Sequence, residues 1–474
     1  MHDDLHYLSA RDALARFAAR TLSPVELMQA LISRTQQVEP RINAFTERRF
    51  DRALTQAREA EARYAGRGDS PRPLEGIPVA IKDDTPIAGE HTTSGSLIYQ
   101  HHVDRTTAPI AERLLAAGAI VHARTTAPEL SCAGVTWSRL WGITRNPWNP
   151  SFSPGGSSGG SAASLAAGTS TLASGSDIWG SIRIPASCCG VVGYKPPYGR
   201  VPEEIPYNLD PYNHEGPLAR TVADCALMQN AIAGLHPRDI ATLREKVAIP
   251  DAPGDIAGWR VACSIDLGFF PIDPEVARNT EAALDVFRDL GCTIHRVDPG
   301  WDAGAARAAM DHLGHLFGNI VARELDANAE QMTGYARAFG EYGRRTSAED
   351  FLAAMRVAGE MYASTAPILE SHDVFVCPTT AIPALPADHD PATARVEIAG
   401  VGVDPVLGWI LTWPFNMLSR CPVISVPSGF AANDVPTGIQ IAARSYDDLR
   451  VFQAAAAYER AVGGFDAPGR RPPL

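Results

Sequence analysis

Two serines and a lysine have sequence surroundings that could support nucleophilic chemistry. Ser157 lies in a run of glycine and serine at residues 155–161, and Ser181 ends a glycine-containing turn at residues 175–180. A serine in such a turn can expose its hydroxyl, and the N–H groups of the turn can converge on an oxyanion. Lys82 ends an apolar run, where burial would favour the neutral amine and let it accept a proton.

The glycine-serine run could also be a flexible linker or a phosphate-binding loop. A linker is disfavoured because a small-residue helical pattern and then a strand pattern follow it at once. A phosphate-binding loop would end in Gly-Lys-Ser or Gly-Lys-Thr, whereas Gly160 is followed by Ser161 and Ala162. Neither alternative fits the run.

A serine nucleophile needs a base, and histidine is the usual one. The histidines lie in ordinary sequence contexts, for instance His91, His101, His102, His122 and His214. We interpret them as surface or second-layer residues, which leaves Lys82 as the candidate base. A lysine at a strand end could instead pair with Asp83 or Asp84, which would favour its charged form. Strand alternation points Asp83 away, whereas Asp84 keeps this alternative open.

The elements that position these residues begin with helices. The segment Ser23-Pro24-Val25-Glu26 combines an N-cap, an N1 proline and an N3 glutamate, and apolar residues follow it at helical spacing. A second helix is predicted over residues 53–64, followed by an exposed loop at 66–73. Residues 1–70 are therefore predicted to form a helical N-terminal part.

Short apolar runs then alternate with helical patterns. Strand-like runs are found at residues 77–81, 120–123, 171–174, 423–426 and 438–442, and further helices are predicted over 109–117 and 447–460. Short buried strands separated by helices predict an α/β fold with both faces of the sheet covered.

The middle of the chain shows a different pattern. Residues from about 240 to 370 are mainly amphipathic and helical, and we predict that they form a variable helical cap on the sheet or simply cover it. The chain contains no internal repeat and no long low-complexity linker. We therefore predict a single domain over residues 1–474.

Composition excludes several classes of partner. A formal net charge of −12 over 474 residues, without a clustered basic run, argues against nucleic acid and anionic membrane surfaces. Acids and histidines in residues 1–7 do not resemble a signal peptide. The eight cysteines are scattered without Cys-x-x-Cys spacing, which is typical of reduced thiols. A cytoplasmic protein is expected.

Several ordered motifs together resemble the amidase signature family. They lie at residues 73–83, 146–168, 175–185 and 190–202, and the resemblance extends to residues 22–45, 373–380, 422–427 and 438–440. Only residues 240–365 give nothing to match. The resemblance implies the amidase-signature fold, an α/β architecture with a large, mixed, mostly parallel sheet and helices on both faces.

The same resemblance implies roles for individual residues. Ser181 would be the nucleophile, Ser157 a proton relay preceded by a cis peptide bond, and Lys82 a neutral base. The implied oxyanion hole consists of the backbone N–H groups of Ile178, Trp179, Gly180 and Ser181. The implied supporting residues are Asp177 paired with Arg183, and Ser158 oriented toward Lys82. No cofactor and no metal is expected.

The sequence departs from the family pattern at the oxyanion loop. Trp179 stands where the family usually has glycine, and Ile178 where a small residue is common; Ser-Arg-Cys at 419–421 stands where Thr-Gly-Leu is common. The indole would either clash with bulky acyl groups or form an aromatic wall for flat ones. By family position, an apolar acyl or aryl pocket is expected to contain Ser131, Gly134, Trp137, Trp413 and Phe415. Core packing is an equal alternative for the two tryptophans and the phenylalanine.

The predicted function is hydrolysis of apolar or aryl amides through an acyl-enzyme, extending to esters and carbamates, as in bacterial aryl-amidases and urethanases. Its substrate would be a small molecule, and a homodimer is one option for the oligomeric state. A glutaminase subunit of a tRNA amidotransferase is an alternative within the family. A non-catalytic binding protein on an amidase scaffold is an alternative of another class.

Overall fold

The computed structural model describes residues 4–251 and 254–474. Residues 1–3 of the predicted N-terminal part and 252–253 of the predicted cap region lie outside the described residues. The α-helices are α1 Ala10–Ala18, α2 Pro24–Ile42, α3 Phe50–Tyr64, α4 Pro109–Ala116, α5 Gly159–Ala166, α6 Arg183–Cys189, α7 Val222–Ile232, α8 Pro274–Asp289, α9 Gly304–Leu313, α10 Asn319–Ala322, α11 Leu325–Asn328, α12 Gly334–Arg345, α13 Ala348–Ser371, α14 Pro414–Met417 and α15 Asp448–Ala461. A π-helical turn, Gly314–Gly318, joins α9 to α10.

The strands form one large sheet and two small hairpins. They are β1 Phe45–Arg48, β2 Pro78–Lys82, β3 Ile120–Thr125, β4 Trp137–Ser138, β5 Gly142–Ile143, β6 Leu172–Ser176, β7 Val192–Lys195, β8 Glu215–Ala219, β9 Arg260–Cys263, β10 Thr293–Arg296, β11 Val374–Pro378, β12 Val396–Ile398, β13 Val401–Val403, β14 Val423–Phe430 and β15 Pro436–Ala442. The large sheet has eleven strands in the order β1-β3-β2-β6-β8-β7-β14-β15-β11-β9-β10.

The predicted fold class is confirmed, and the sheet is mixed. Four neighbouring pairs are parallel, namely β3-β2, β2-β6, β11-β9 and β9-β10. The other six pairs are antiparallel and include the whole centre of the sheet from β6 to β11. Antiparallel pairs thus outnumber parallel ones, although the family resemblance implied a mostly parallel sheet.

Strand β2 shows how both faces of the sheet are covered. All five of its residues are buried. Val79 and Ile81 pack into one apolar cluster, whereas Ala80 packs into another with the small residues of α5. Because β2 and β6 run parallel, their carboxyl ends meet at the same edge of the sheet. Lys82 and Ser176 are the last residues of these two strands.

The region predicted as a helical cap is partly sheet. It contains helices α8 to α13, as expected, but β9 and β10 within it form one edge of the large sheet. Both strands have only four residues, too few for their alternation to stand out among longer helical patterns. Among the described residues, no helix has the length and hydropathy needed to cross a membrane.

Candidate active site

Lys82 lies at the centre of a buried polar cluster. Its side chain is fully buried, and Nζ lies 2.7 Å from Ser157 Oγ and 2.7 Å from Ser176 Oγ. It also forms an ion pair with Asp84, with Nζ 2.8 Å from Oδ2. Lys82 therefore contacts the predicted relay serine directly, and the pairing with Asp84 that the sequence left open is present.

Asp84 is held as a carboxylate by the groups around it. Its Oδ2 also accepts hydrogen bonds from Ser131 Oγ at 2.9 Å and Ser176 Oγ at 3.1 Å. Burial opposes ionisation, but the Lys82 ammonium and these hydrogen bonds outweigh it and lower the pKa of Asp84. Asp83 turns away, as strand alternation predicted, and accepts a hydrogen bond from the Thr93 N–H at 3.1 Å.

Ser157 occupies a tightly enclosed loop before α5. The Gly156–Ser157 peptide bond is cis, as the resemblance implied, and Ser157 is almost fully buried. A Cβ on Gly156 would lie 2.6 Å from the Val135 carbonyl oxygen, so no other residue fits without moving the backbone. This close approach explains a glycine beside the relay serine.

Ser181 sits two residues before α6 and is 8% exposed. Its carbonyl accepts the Ser158 N–H at 3.1 Å, which ties the turn to the loop that carries Ser157. Ser158 was expected to orient Lys82, but its hydroxyl donates to the Ser176 carbonyl at 3.4 Å. The Ser176 hydroxyl takes the predicted place beside Lys82, because β6 ends alongside β2.

The predicted pair of Asp177 and Arg183 is present and fully buried, at 3.0 Å. Asn416 Nδ2 donates to Asp177 Oδ1 at 2.8 Å, and Gln440 accepts from Arg183 at 2.8 Å. Burial alone would raise the pKa of Asp177, but the Arg183 guanidinium outweighs it and lowers the pKa to about 2. The network fixes the turn that precedes Ser181.

We expect Asp177→Asn to lower the free energy of unfolding by about 3 kcal/mol at neutral pH, because it leaves a buried guanidinium without its counter-ion. A depressed carboxyl pKa stabilises the fold above its unfolded value of about 3.9, and this contribution is lost as pH falls toward 2. Denaturant titrations at pH 7, 4 and 3 should therefore show that the stability deficit of the variant relative to the wild type becomes smaller as the pH falls. Asp285→Asn, from an exposed pair, is the control and should change stability by under about 1 kcal/mol. A deficit equal at all three pH values would contradict the role of this pair.

The oxyanion loop differs from the prediction at Gly180. Its N–H donates to Asp177 Oδ1 at 2.8 Å, while the Thr412 hydroxyl donates to the Trp179 carbonyl. These two bonds hold both ends of the peptide unit between Trp179 and Gly180. Among the described residues, the N–H groups of Ile178, Trp179 and Ser181 have no acceptor. The Gly180 N–H is therefore already occupied, and three predicted donors remain.

The backbone conformation at position 180 requires a glycine. Its φ is +119°, which side-chain-bearing residues rarely adopt, and a Cβ there would overlap the Thr412 hydroxyl. Behind this loop, the two ring nitrogens of His214 lie 3.1 Å from the carbonyl oxygens of Asp177 and Ser419, and the protonated nitrogen donates to its carbonyl. His214 is thus a second-layer residue, as the sequence indicated.

Ser181 lies where two cavities meet. The acidic cavity has a volume of about 260 Å³, and its walls include Ser157, Ser176 and Ser181 together with five carboxyl groups: those of Asp84, Glu203, Glu204, Glu215 and Glu324. The apolar cavity has a volume of about 160 Å³, and its walls include Trp179, Leu313, Phe317, Phe339 and Ile410. Ser181, Ser131 and Ile178 border both cavities.

Two of the five predicted pocket residues lie at these cavities. Ser131 borders both, and Gly134 borders the apolar one. Trp137, Trp413 and Phe415 lie outside the walls of both cavities. Trp413 and Phe415 are fully buried core residues that pack against other aromatic rings. Trp137 donates to the His389 carbonyl at 2.8 Å. Core packing, the alternative left open, is therefore correct for Trp413 and Phe415, and the half-buried Trp137 packs against the same apolar cluster.

The chain is similar to known proteins over most of its length. The family model for amidases matches residues 26–452, so the chain belongs to the amidase family, as its motifs predicted. An acylamidase of Rhodococcus erythropolis is 36% identical over 468 residues, which covers 96% of both chains. A glutamyl-tRNA(Gln) amidotransferase subunit from Thermosynechococcus vestitus is 36% identical over 476 residues, covering 92% of this chain and 94% of that protein.

A solved structure of a bacterial aryl acylamidase of the amidase signature family superposes with a TM-score of 0.92 at 27% identity. The superposition covers 99% of this chain and 100% of that one. Because the chain belongs to this family and is similar to these relatives over nearly its whole length, it is an amide-hydrolysing enzyme. Its relatives include both an acylamidase and an amidotransferase subunit, so similarity alone does not choose a substrate.

Proposed function

We propose that this chain is a serine amidohydrolase that cleaves small apolar or aryl amides through an acyl-enzyme on Ser181. The observation that carries the proposal is the 2.7 Å hydrogen bond between Lys82 Nζ and Ser157 Oγ, beside a cavity that also contains the Ser181 hydroxyl. A relay and a nucleophile on one cavity wall, with a base hydrogen-bonded to the relay, are the parts that acyl transfer needs.

In the proposed reaction, Ser181 Oγ attacks the carbonyl carbon and gives its proton to Ser157, whose own proton passes to Lys82. The tetrahedral intermediate then loses its C–N bond as the nitrogen takes a proton back from Ser157. Water attacks the acyl-enzyme by the same relay and releases the acid. The oxyanion is held by the N–H groups of Ile178, Trp179 and Ser181, each worth about 3 kcal/mol in the transition state.

The relay requires neutral Lys82, and the Asp84 carboxylate lies 2.8 Å from its Nζ, where it helps to position the amine against Ser157. We expect Asp84→Asn to lower kcat/KM on the best anilide by at least about tenfold, because proton transfer depends on the placement of the base. Steady-state rates at neutral pH check this expectation, and the thermal unfolding midpoint shows whether the variant is folded. An unchanged kcat/KM in the folded variant would show that Asp84 does not support the relay.

The apolar cavity supports an apolar acyl group. It borders Ser181 and the oxyanion loop, and aromatic and aliphatic side chains form most of its wall. Trp179 belongs to that wall, which supports the aromatic-wall alternative for a flat acyl group. Aryl esters and carbamates pass through the same tetrahedral oxyanion, so we expect them to react as well.

The test is hydrolysis of benzoyl and butyryl p-nitroanilides, a p-nitrophenyl carbamate and glutamine by the purified protein alone, with Ser181→Ala as the blank. We expect turnover of the benzoyl anilide and the carbamate, with benzoyl preferred to butyryl. Glutamine turnover that depends on partner subunits would instead support the amidotransferase role. No turnover and no labelling of Ser181 by an acylating agent would support a non-catalytic scaffold.

A further inference from the structure

The acidic cavity has an unusual balance of charge. Five of the described residues on its wall carry carboxyl groups, and none is lysine, arginine or histidine. Three of these carboxyl groups have a partner. Asp84 pairs with Lys82, Glu204 lies 3.9 Å from Arg238, and Glu324 accepts a tyrosine hydroxyl hydrogen bond at 2.8 Å. Among the described residues on this wall, only Glu203 and Glu215 combine a buried carboxylate oxygen that has no hydrogen-bond partner with the lack of a cationic partner.

Each of these two carboxyl groups has a buried oxygen that lacks a hydrogen-bond partner. Glu203 is 5% exposed, and its Oε1 has no hydrogen-bond partner, while Oε2 accepts from Asn213 at 3.1 Å. Glu215 Oε2 is likewise buried without a partner. Burial raises the pKa of both groups well above the usual range, and neighbouring carboxyl groups add to the effect. A buried acid of this kind is stabilised in its ionised form only when a cation arrives.

The position of the relay residue, Ser157, indicates which half of the substrate occupies the acidic cavity. Ser157, which returns the proton to the leaving nitrogen, is on the wall of the acidic cavity. Trp179 of the oxyanion loop is on the wall of the apolar cavity. An acyl group in the apolar cavity therefore places the leaving amine in the acidic one, whose volume of about 260 Å³ far exceeds that of ammonia.

We propose that Glu203 and Glu215 recognise a second, cationic amino group on the leaving amine, so that the substrates are diamines acylated on one nitrogen by an apolar acid. This inference rests on the proposed function, because it uses the relay to orient the substrate. It adds a specificity determinant that the acyl-enzyme chemistry itself does not require. Two carboxyl groups without a cation are complementary to one ammonium group.

The test compares two isosteric amides of the acyl group that the anilide panel ranks highest: the mono-amide of 1,4-diaminobutane and the amide of pentylamine. They differ only by an ammonium in place of a terminal methyl. For the wild-type enzyme, we expect kcat/KM to be at least about tenfold higher for the diamine amide. In Glu203→Gln/Glu215→Gln this ratio should fall at least about fivefold. Glu204→Gln is the matched control, because Arg238 already lies near that carboxyl group, and it should change the ratio by less than about twofold.

Equal rates for the two amides in the wild type would overturn the inference, and so would an unchanged ratio in the folded double variant. If the double variant does not fold, competitive inhibition of the wild type decides: free 1,4-diaminobutane should inhibit anilide hydrolysis more strongly than pentylamine, and equal inhibition would overturn the inference. Anilide turnover that is lost in Ser181→Ala reports on the proposed function separately. The experiments can therefore reject the inferred substrate class and still support the proposed amidohydrolase activity.

Discussion

Ser181→Ala is expected to lower kcat on the best anilide by about 10⁴- to 10⁶-fold. The nucleophile and its base act together, so the loss of the nucleophile removes nearly all of the rate acceleration that the two provide. The side chain is small and 8% exposed, so the loss should come from chemistry and leave the fold intact. Single-turnover kinetics measure the chemical step, and a thermal unfolding midpoint close to that of the wild type confirms folding. A loss below about tenfold would mean that another group attacks the carbonyl.

Lys82→Met should cause a loss of similar size, because it removes the proposed base. Methionine fills most of the buried space, but Asp84 then remains buried without its cation, which destabilises the fold. The double variant Lys82→Met/Asp84→Asn removes this unpaired charge and controls for stability. We expect it to recover unfolding free energy relative to Lys82→Met while remaining inactive in the anilide assay. Recovery of activity together with stability would show that Lys82 serves the fold and not the reaction.

Much of the site could be predicted because it depends on local sequence. Three local segments have recognisable sequence patterns because short-range sterics restrict which residues fit there. They are the apolar run before Lys82, the glycine-rich loop around Ser157 and the turn before Ser181. Their order along the chain carries the family resemblance, which adds the cis peptide bond. The resemblance also implies the pairing of Asp177 with Arg183, which lie six positions apart.

The remaining parts of the site depend on long-range register. Ser176 reaches Lys82 only because β6 ends beside β2, a contact between residues 94 positions apart. Thr412 fixes the Trp179 carbonyl from 233 positions away, and the Gly180 N–H is diverted to Asp177 by the resulting orientation of the peptide. No local pattern around residue 412 indicates this contact.

Burial also limits what residue type can predict. Trp413 and Phe415 look equally suitable for a pocket wall and for the core, and only their packing against other aromatic rings places them in the core. Glu203 and Glu215 appear from sequence as ordinary charged residues. Their significance arises because the fold encloses them beside the nucleophile without a cation.

The central claim is that Ser181 becomes acylated, and intact-mass and peptide mass spectrometry test it most directly. The enzyme is mixed with a p-nitrophenyl carbamate, whose carbamoyl-enzyme should hydrolyse slowly, and is then quenched in acid. We predict the addition of one carbamoyl group per chain, located on Ser181 and lost in Ser181→Ala. An unmodified chain that nevertheless turns over the carbamate, or a label on Ser157 or Ser176 in the wild type, would contradict the account.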